Sequence, residues 1–183
     1  VEAKEGGELI VHTSTQNPAE TQLFVHKITG IDMAKITVKV KRLGGAFGGK
    51  ETRACVFACF PAVAARKLGR SVRFAMDRHT DMAVSGKRHE FYAKYRIAME
   101  RDSRKLVALD VEIYNNAGFS LDLSEPILNR AMLHIQNACN VANIRVRGQM
   151  CKTNIESNTA FRGFGGPQGM FVFEAAIDDL ARI

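Results

Sequence analysis

The sequence predicts an α+β fold with mixed sheets, a long β-hairpin and packed helices. Three observations carry that expectation. Phe91, Ala93, Tyr95, Ile97 and Met99 alternate with other residues, and Val107, Leu109, Val111 and Ile113 do so again. Between the two runs lies the polar stretch Arg101-Asp102-Ser103-Arg104-Lys105, so the pair reads as a hairpin. Asn17-Pro18-Ala19-Glu20 supplies an N-cap and a proline at the first helical position, and Gly30 closes the helix. Strands and helices then mix without the strict alternation of a doubly wound sheet.

The elements follow in order. Residues 8–13 read as a short strand ahead of the Asn17 helix, whose apolar positions are Leu23, Val25 and Ile28. Ile36, Val38 and Val40 alternate with Thr37, Lys39 and Lys41, which gives one apolar and one wet face. A glycine loop spans 44–49. Residues 51–68, rich in Ala, Cys, Phe and Val, read as a buried helix that Gly69 ends and that Pro61 should kink or split. Residues 72–76 suggest a short strand. Asn115-Asn116-Ala117-Gly118 breaks the pattern of the second hairpin strand. Residues 124–135 form a helix with Ser124 as its cap and Pro126 near its start, and 141–150 form a strand. A second glycine loop, 159–166, precedes a last helix opened by Pro167. A subdivision is expected near the hairpin region, 85–118. No internal repeat is evident, although the two Phe-Gly-Gly stretches look alike locally.

Composition narrows the function classes. At 183 residues and 46% hydrophobic, the chain has the means to bury a core. Lys and Arg number 26 against 19 Asp and Glu, a net charge of +7. The cations are scattered with no run of five, which favours solvated faces over a nucleic-acid surface. No apolar run approaches the roughly 18 residues of a membrane span. Cys55, Cys59, Cys139 and Cys151 form no CxxC, match neither zinc nor iron–sulfur spacing, and read as free thiols of a reducing compartment. The five histidines lack metal-like spacing, and no GxSxG is present. The chain starts at Val1 rather than Met and its last helix runs to Ile183, so it is expected to be a piece of a longer protein.

The two glycine loops hold the chemistry-bearing candidates. Gly44-Gly45-Ala46-Phe47-Gly48-Gly49-Lys50 spells GxxxxGK between a strand and a helix, the setting of an anion cradle. Glu51, however, stands where a phosphate-binding loop needs Ser or Thr, and its carboxylate would repel a phosphate. Either the loop is a tight packing turn, or Glu51 is a substrate contact. In Phe161-Arg162-Gly163-Phe164-Gly165-Gly166, Phe161 is expected in the core, while Phe164 either packs inward or offers its face to a flat ligand. Arg162 is able to read an anion bidentately. Arg130, between Ile127-Leu128 and Ala131-Met132-Leu133, either snorkels to water or is held in a site. Gln16 has an amide to offer a bound oxygen.

Together these residues carry a resemblance. Ser14-Thr15-Gln16-Asn17, the stretch from Arg42 through the first glycine loop to Arg53, Cys151-Lys152-Thr153-Asn154, and the stretch from Asn158 to Gln168 resemble the molybdenum-binding region of the molybdenum hydroxylases. That family includes xanthine dehydrogenases and aldehyde oxidases, and the resemblance runs over essentially the whole chain. It implies that residues 1–183 are part of a larger molybdopterin-binding domain. The metal is then held by the pterin dithiolene, and the protein acts around it. By resemblance, Gln16 hydrogen-bonds an oxygen ligand of the molybdenum. The backbone at Phe47, Gly48 and Arg162 approaches the cofactor and metal, and Phe164 stacks on a flat purine.

Xanthine dehydrogenases are similar to this chain in carrying a Glu and an Arg at Glu51 and Arg130, where aldehyde oxidases have apolar residues. The resemblance therefore implies catalytic and substrate-binding roles for both. The guanidinium stabilises negative charge on the ring, and the carboxylate orients ring N–H groups. The expected activity is oxidation of hypoxanthine to xanthine and urate. Electrons leave through 2Fe-2S clusters and FAD to NAD or O₂. The family's general-base Glu has no counterpart here, nor do its iron–sulfur, flavin and later molybdenum-domain segments, so the piece alone is expected to be inactive. A cytoplasmic or peroxisomal homodimeric parent without membrane contact is implied. The competing readings are an aldehyde oxidase and an anion- or nucleic-acid-binding module.

Overall fold

The computed structural model describes residues 1–183, which divide into two compact units, Val1–Gly86 and Lys87–Ile183. In the first unit, β1 (Glu2–Ala3) pairs antiparallel with β2 (Leu9–His12). α1 (Pro18–Thr29) then crosses to β3 (Ile36–Lys39), which lies parallel to β2. α2 (Arg53–Leu68) and the short α3 (Arg78–Val84) complete the unit. Asn17 caps α1 by accepting the Glu20 N–H, and Gly30 closes it in the left-handed conformation, as the sequence predicts. Leu9 and Val11 from the sheet meet Val25, Ala58, Ala62 and Ala65 from the helices, forming this unit's core.

The second unit repeats that plan. β4 (Phe91–Met99) and β5 (Leu106–Gly118) form the predicted antiparallel hairpin. α4 (Ser124–Leu133) crosses to β6 (Asn143–Lys152), parallel to β5, and α5 (Gly166–Ala181) closes the unit. Leu109, Val111 and Ile113 on one face of β5 pack under Leu128, Ala131, Val172 and Phe173. Each unit thus reads strand, strand, helix, strand, Phe-Gly-Gly loop, then a helix of 16 residues. The repeat lies in topology rather than in residues, and its trace in the sequence is the Phe-Gly-Gly loop. The mixed sheets and packed helices agree with the α+β expectation.

Five local expectations differ from the structure. α2 runs unbroken through Pro61, because Ala58, Ala62 and Ala65 are buried on either side of it and hold the helix in place. Residues 72–76 form no strand: Val72 exchanges hydrogen bonds with Val1 alone, and an isolated bridge does not propagate. β5 continues through Asn115 to Gly118, since β6 pairs with it there and supplies the bonds that propensity does not. Ser124 is not the cap of α4; Leu123 holds that position and the Ser124 hydroxyl is engaged by His89. Phe161 is not in the core but 47% exposed, with its ring beneath Arg88.

Candidate functional site

The first glycine loop is built against the segment that joins β2 to α1. The Lys50 carbonyl accepts from both the Gln16 N–H and the buried Thr15 hydroxyl, each at 3.0 Å. Lys50 Nζ reaches back to the Ser14 hydroxyl, also at 3.0 Å. The Gly48 N–H donates to Gln16 Oε1 at 3.0 Å. That last bond fixes which end of the amide faces the loop and leaves the Gln16 NH₂ as a donor on an exposed side chain. Ser14, Thr15 and Gln16 thus act as a rail on which the loop is mounted.

The loop itself turns through left-handed backbone at Gly45, Phe47 and Gly48, with φ of 120°, 52° and 94°. Phe47 is not a glycine, so its conformation is strained unless its surroundings impose it. Phe47 is 62% exposed. Gly49 N–H to Ala46 carbonyl and Glu51 N–H to Gly48 carbonyl, both 3.0 Å, close the turn. Glu51 follows directly, ahead of the N-terminus of α2, and is half-buried. Gln16, Gly48 and the backbone of Phe47 are therefore brought together, with Glu51 at the loop's end.

In the second unit α4 presents Arg130 on its exposed side, at the C-terminal end of the helix. The second glycine loop lies against this same helix. A Cβ on Gly165 would overlap the Ile127 carbonyl, and one on Gly169 the Ala131 carbonyl. These glycines are therefore required by the packing of loop and α5 on α4. The Arg130 Nε would stand 3.9 Å from a Cβ on Gly166, which puts its side chain beside the loop. Phe164 carries the same left-handed backbone as Phe47, with φ of 50°. Its N–H donates to the Phe161 carbonyl at 2.8 Å. The Arg162 carbonyl accepts from Arg88 Nη2 at 2.7 Å, and the Arg88 guanidinium stands 4.4 Å from the Phe161 ring centroid. Arg130, Arg162 and Phe164 are thus gathered around one loop.

A polar group that the sequence leaves unmarked lies beneath this loop. His89, 2% exposed, bonds Ser124 through Nε2 at 2.7 Å, and its carbonyl accepts from Gln168 at 3.3 Å. Asn115, fully buried, donates to the Ser124 carbonyl at 3.0 Å. Burial pushes the His89 imidazole pKa down, against a smaller opposing pull from the Asp122 carboxylate. Lys87-Arg88-His89 reads locally as an ordinary polar lead-in to a strand, so only the fold discloses its place. Elsewhere, burial raises the Cys55 and Cys59 thiols, and all four cysteines are free. No group of three or more His, Cys, Asp or Glu stands in a metal-holding arrangement. No helix is long and apolar enough to cross a membrane.

Comparison with known proteins gives these loops a context. Residues 1–183 match the family model of the molybdopterin cofactor-binding domain. The chain is 50% identical over 177 residues to a xanthine dehydrogenase of Emericella nidulans, covering 97% of this chain and 13% of that protein. It is 46% identical over 177 residues to a nicotinate hydroxylase of the same organism, again covering 97% of this chain and 13% of the relative. The fold superposes on an aldehyde oxidoreductase from Desulfovibrio gigas with a TM-score of 0.88 and 25% identity, over 99% of this chain and 20% of that one. The chain therefore spans about an eighth of the length of the curated relatives it matches.

Proposed function

Because this chain belongs to the molybdopterin cofactor-binding domain family, we propose that it supplies cofactor and substrate contacts to an enzyme that hydroxylates a purine. The observation that carries the reading is the pair of charged residues at the two loops: Glu51 closes the first, and Arg130 flanks the second beside Gly166. The 50% identity to a xanthine dehydrogenase supports the same substrate class.

The residues present fit the cofactor. Gln16 is exposed and keeps an amide donor free of the loop bond. A Cβ added at Gly44 would meet no atom within 4 Å, so the approach to the loop backbone is open there. Lys41, Arg42 and Lys50 give the neighbourhood a positive charge suited to an anionic pterin phosphate. When bound, molybdopterin supplies a two-electron redox centre at which a ring C–H becomes C–OH. Gln16 is the side chain that would hold it, together with the backbone of Phe47, Gly48 and Arg162. Phe164 would offer its ring face to the flat heterocycle. Arg130 would stabilise the negative charge that develops on the ring, and Glu51 would accept a ring N–H and set the tautomer. An aldehyde offers Glu51 no ring N–H and develops no ring charge for Arg130 to stabilise, so it gains nothing from either group. The reading extends to a cytoplasmic homodimer whose further segments hold 2Fe-2S clusters and FAD and pass electrons to NAD or O₂.

The second reading is hydroxylation of another azaheterocycle, favoured by the 46% identity to a nicotinate hydroxylase, or of an aldehyde, favoured by the likeness to an aldehyde oxidoreductase. The test is to replace both charges in a full-length enzyme carrying this domain, as Glu51→Val and Arg130→Met. A hydrogen bond to a charged group is worth about 1.5–3 kcal/mol. Each change is therefore expected to lower kcat/KM for hypoxanthine by roughly 10- to 100-fold, with aldehyde turnover spared or raised. An unchanged ratio of the two activities overturns the purine reading.

A further inference from the structure

We propose that Arg88 is a positioning residue for the second glycine loop, holding the Arg162 peptide and the Phe161 ring so that Phe164 is presented in one orientation. The inference deepens the purine reading and rests on it for its functional consequence. It does not rest on that reading for its structural one.

Three consecutive residues ahead of β4 grip this loop along its length. The Lys87 carbonyl accepts the Thr159 N–H at 2.9 Å, at the start. Arg88 takes the middle, with Nη2 on the Arg162 carbonyl at 2.7 Å and its guanidinium 4.4 Å above the centre of Phe161. The His89 carbonyl accepts from Gln168 Nε2 at 3.3 Å, just past the end. The two outer bonds hold the ends of the loop, and Gly165 is held by its packing on α4. On the exposed residues just ahead of Phe164, Arg88 acts on both sides of one peptide: it holds the ring of residue 161 and the carbonyl of residue 162. The Phe164 N–H then bonds the Phe161 carbonyl at 2.8 Å, so the restraint reaches Phe164 directly.

The restraint answers a need. Phe164 has φ of 50°, a conformation that persists in a non-glycine residue only where the surroundings over-determine it. The first unit meets the same need in the same way. There Phe47 has φ of 52°, and Gln16 pins the adjoining Gly48 peptide from outside the loop. In each unit one long polar side chain bonds a peptide close to a left-handed phenylalanine: the 47–48 peptide that flanks Phe47, and the 162–163 peptide one residue ahead of Phe164. Arginine suits the second loop because its planar fork donates in plane to a carbonyl while its face stacks on a ring. Lysine has only a point charge to offer.

The test uses a full-length enzyme carrying this domain, with Arg88→Met and Arg88→Lys. Three readouts are taken: kcat and KM for hypoxanthine per molybdenum, molybdenum content, and backbone hydrogen exchange of the 159–168 and 91–99 peptides. Both variants are expected to retain molybdenum. Exchange at 159–168 should quicken at least about tenfold while 91–99 stays protected, and kcat/KM for hypoxanthine should fall at least about tenfold. Lysine is expected to restore part of the protection, through the charge over Phe161, and it carries the test where the methionine variant does not fold. Unchanged protection at 159–168, or faster exchange spread equally over both peptides with normal kcat/KM, overturns the proposal. A parent enzyme that leaves hypoxanthine unoxidised overturns the purine reading instead, and the exchange result then still decides whether Arg88 orders the loop.

Discussion

His89 illustrates how much a single buried residue contributes at this site. It is 2% exposed and hydrogen-bonded to Ser124, and burial depresses its pKa below the ordinary histidine value. The unfolded chain therefore binds the proton more readily than the folded one. Stability due to this group is fully present above the unfolded pKa of about 6.5 and is lost as pH falls below it. The slope from one such group is at most about 1.4 kcal/mol per pH unit. Melting temperatures measured from pH 7.5 down to 5.5 are expected to fall more steeply for the wild-type chain than for His89→Gln. Parallel curves would rule this out. Phe47 and Phe164 act at the same scale in another way: each stores local strain at a loop that offers an aromatic ring and exposed backbone.

At the scale of elements, the contact of α5 with α4 sets the second loop. Gly165 and Gly169 allow the two helices to approach until a Cβ on either would overlap a carbonyl of α4. Gly169 lies inside α5, where Ala is ordinarily the better helix former. Here the order is reversed. Gly169→Ala is expected to destabilise the second unit by about 1–3 kcal/mol, the range for inserting a methyl into a packed contact. The reading is a lowered urea midpoint. A midpoint at or above wild type would show that α5 shifts without cost. The exposed face of the other layer, the β4–β5–β6 sheet, is tied by cross-strand pairs. Asp110 accepts from Arg145 at 2.6 Å and Arg96 at 2.5 Å, and these bonds hold its carboxyl well below the usual carboxylate range.

For the whole molecule, the two units repeat one topology, and each carries a Phe-Gly-Gly loop ahead of a long helix. Glu51 lies in the first unit and Arg130 in the second. By resemblance, the family's general base lies outside these residues. The isolated chain is therefore expected to form no urate from xanthine, followed spectrophotometrically with molybdopterin supplied. Urate formation by these 183 residues alone would contradict that assignment of roles. The charge of +7 suits an anionic pterin phosphate, although most of the cations lie scattered on exposed positions.

What the sequence by itself determined was local or of short period. The Asn17 cap and Gly30 stop, the alternation of β4 and β5, and the proline opening of α5 were all legible, because each depends on neighbours a few residues away. The candidate residues were legible through their motifs, the two Phe-Gly-Gly loops above all. Tertiary structure decided the rest. It kept α2 whole through Pro61, carried β5 on to Gly118, moved Ser124 from cap to histidine partner and brought Phe161 out under Arg88. The physical reason is separation along the chain. Gln16 meets Gly48 across 32 residues and Arg88 meets Arg162 across 74, so no local pattern encodes those bonds. They exist only once each unit has closed its own core.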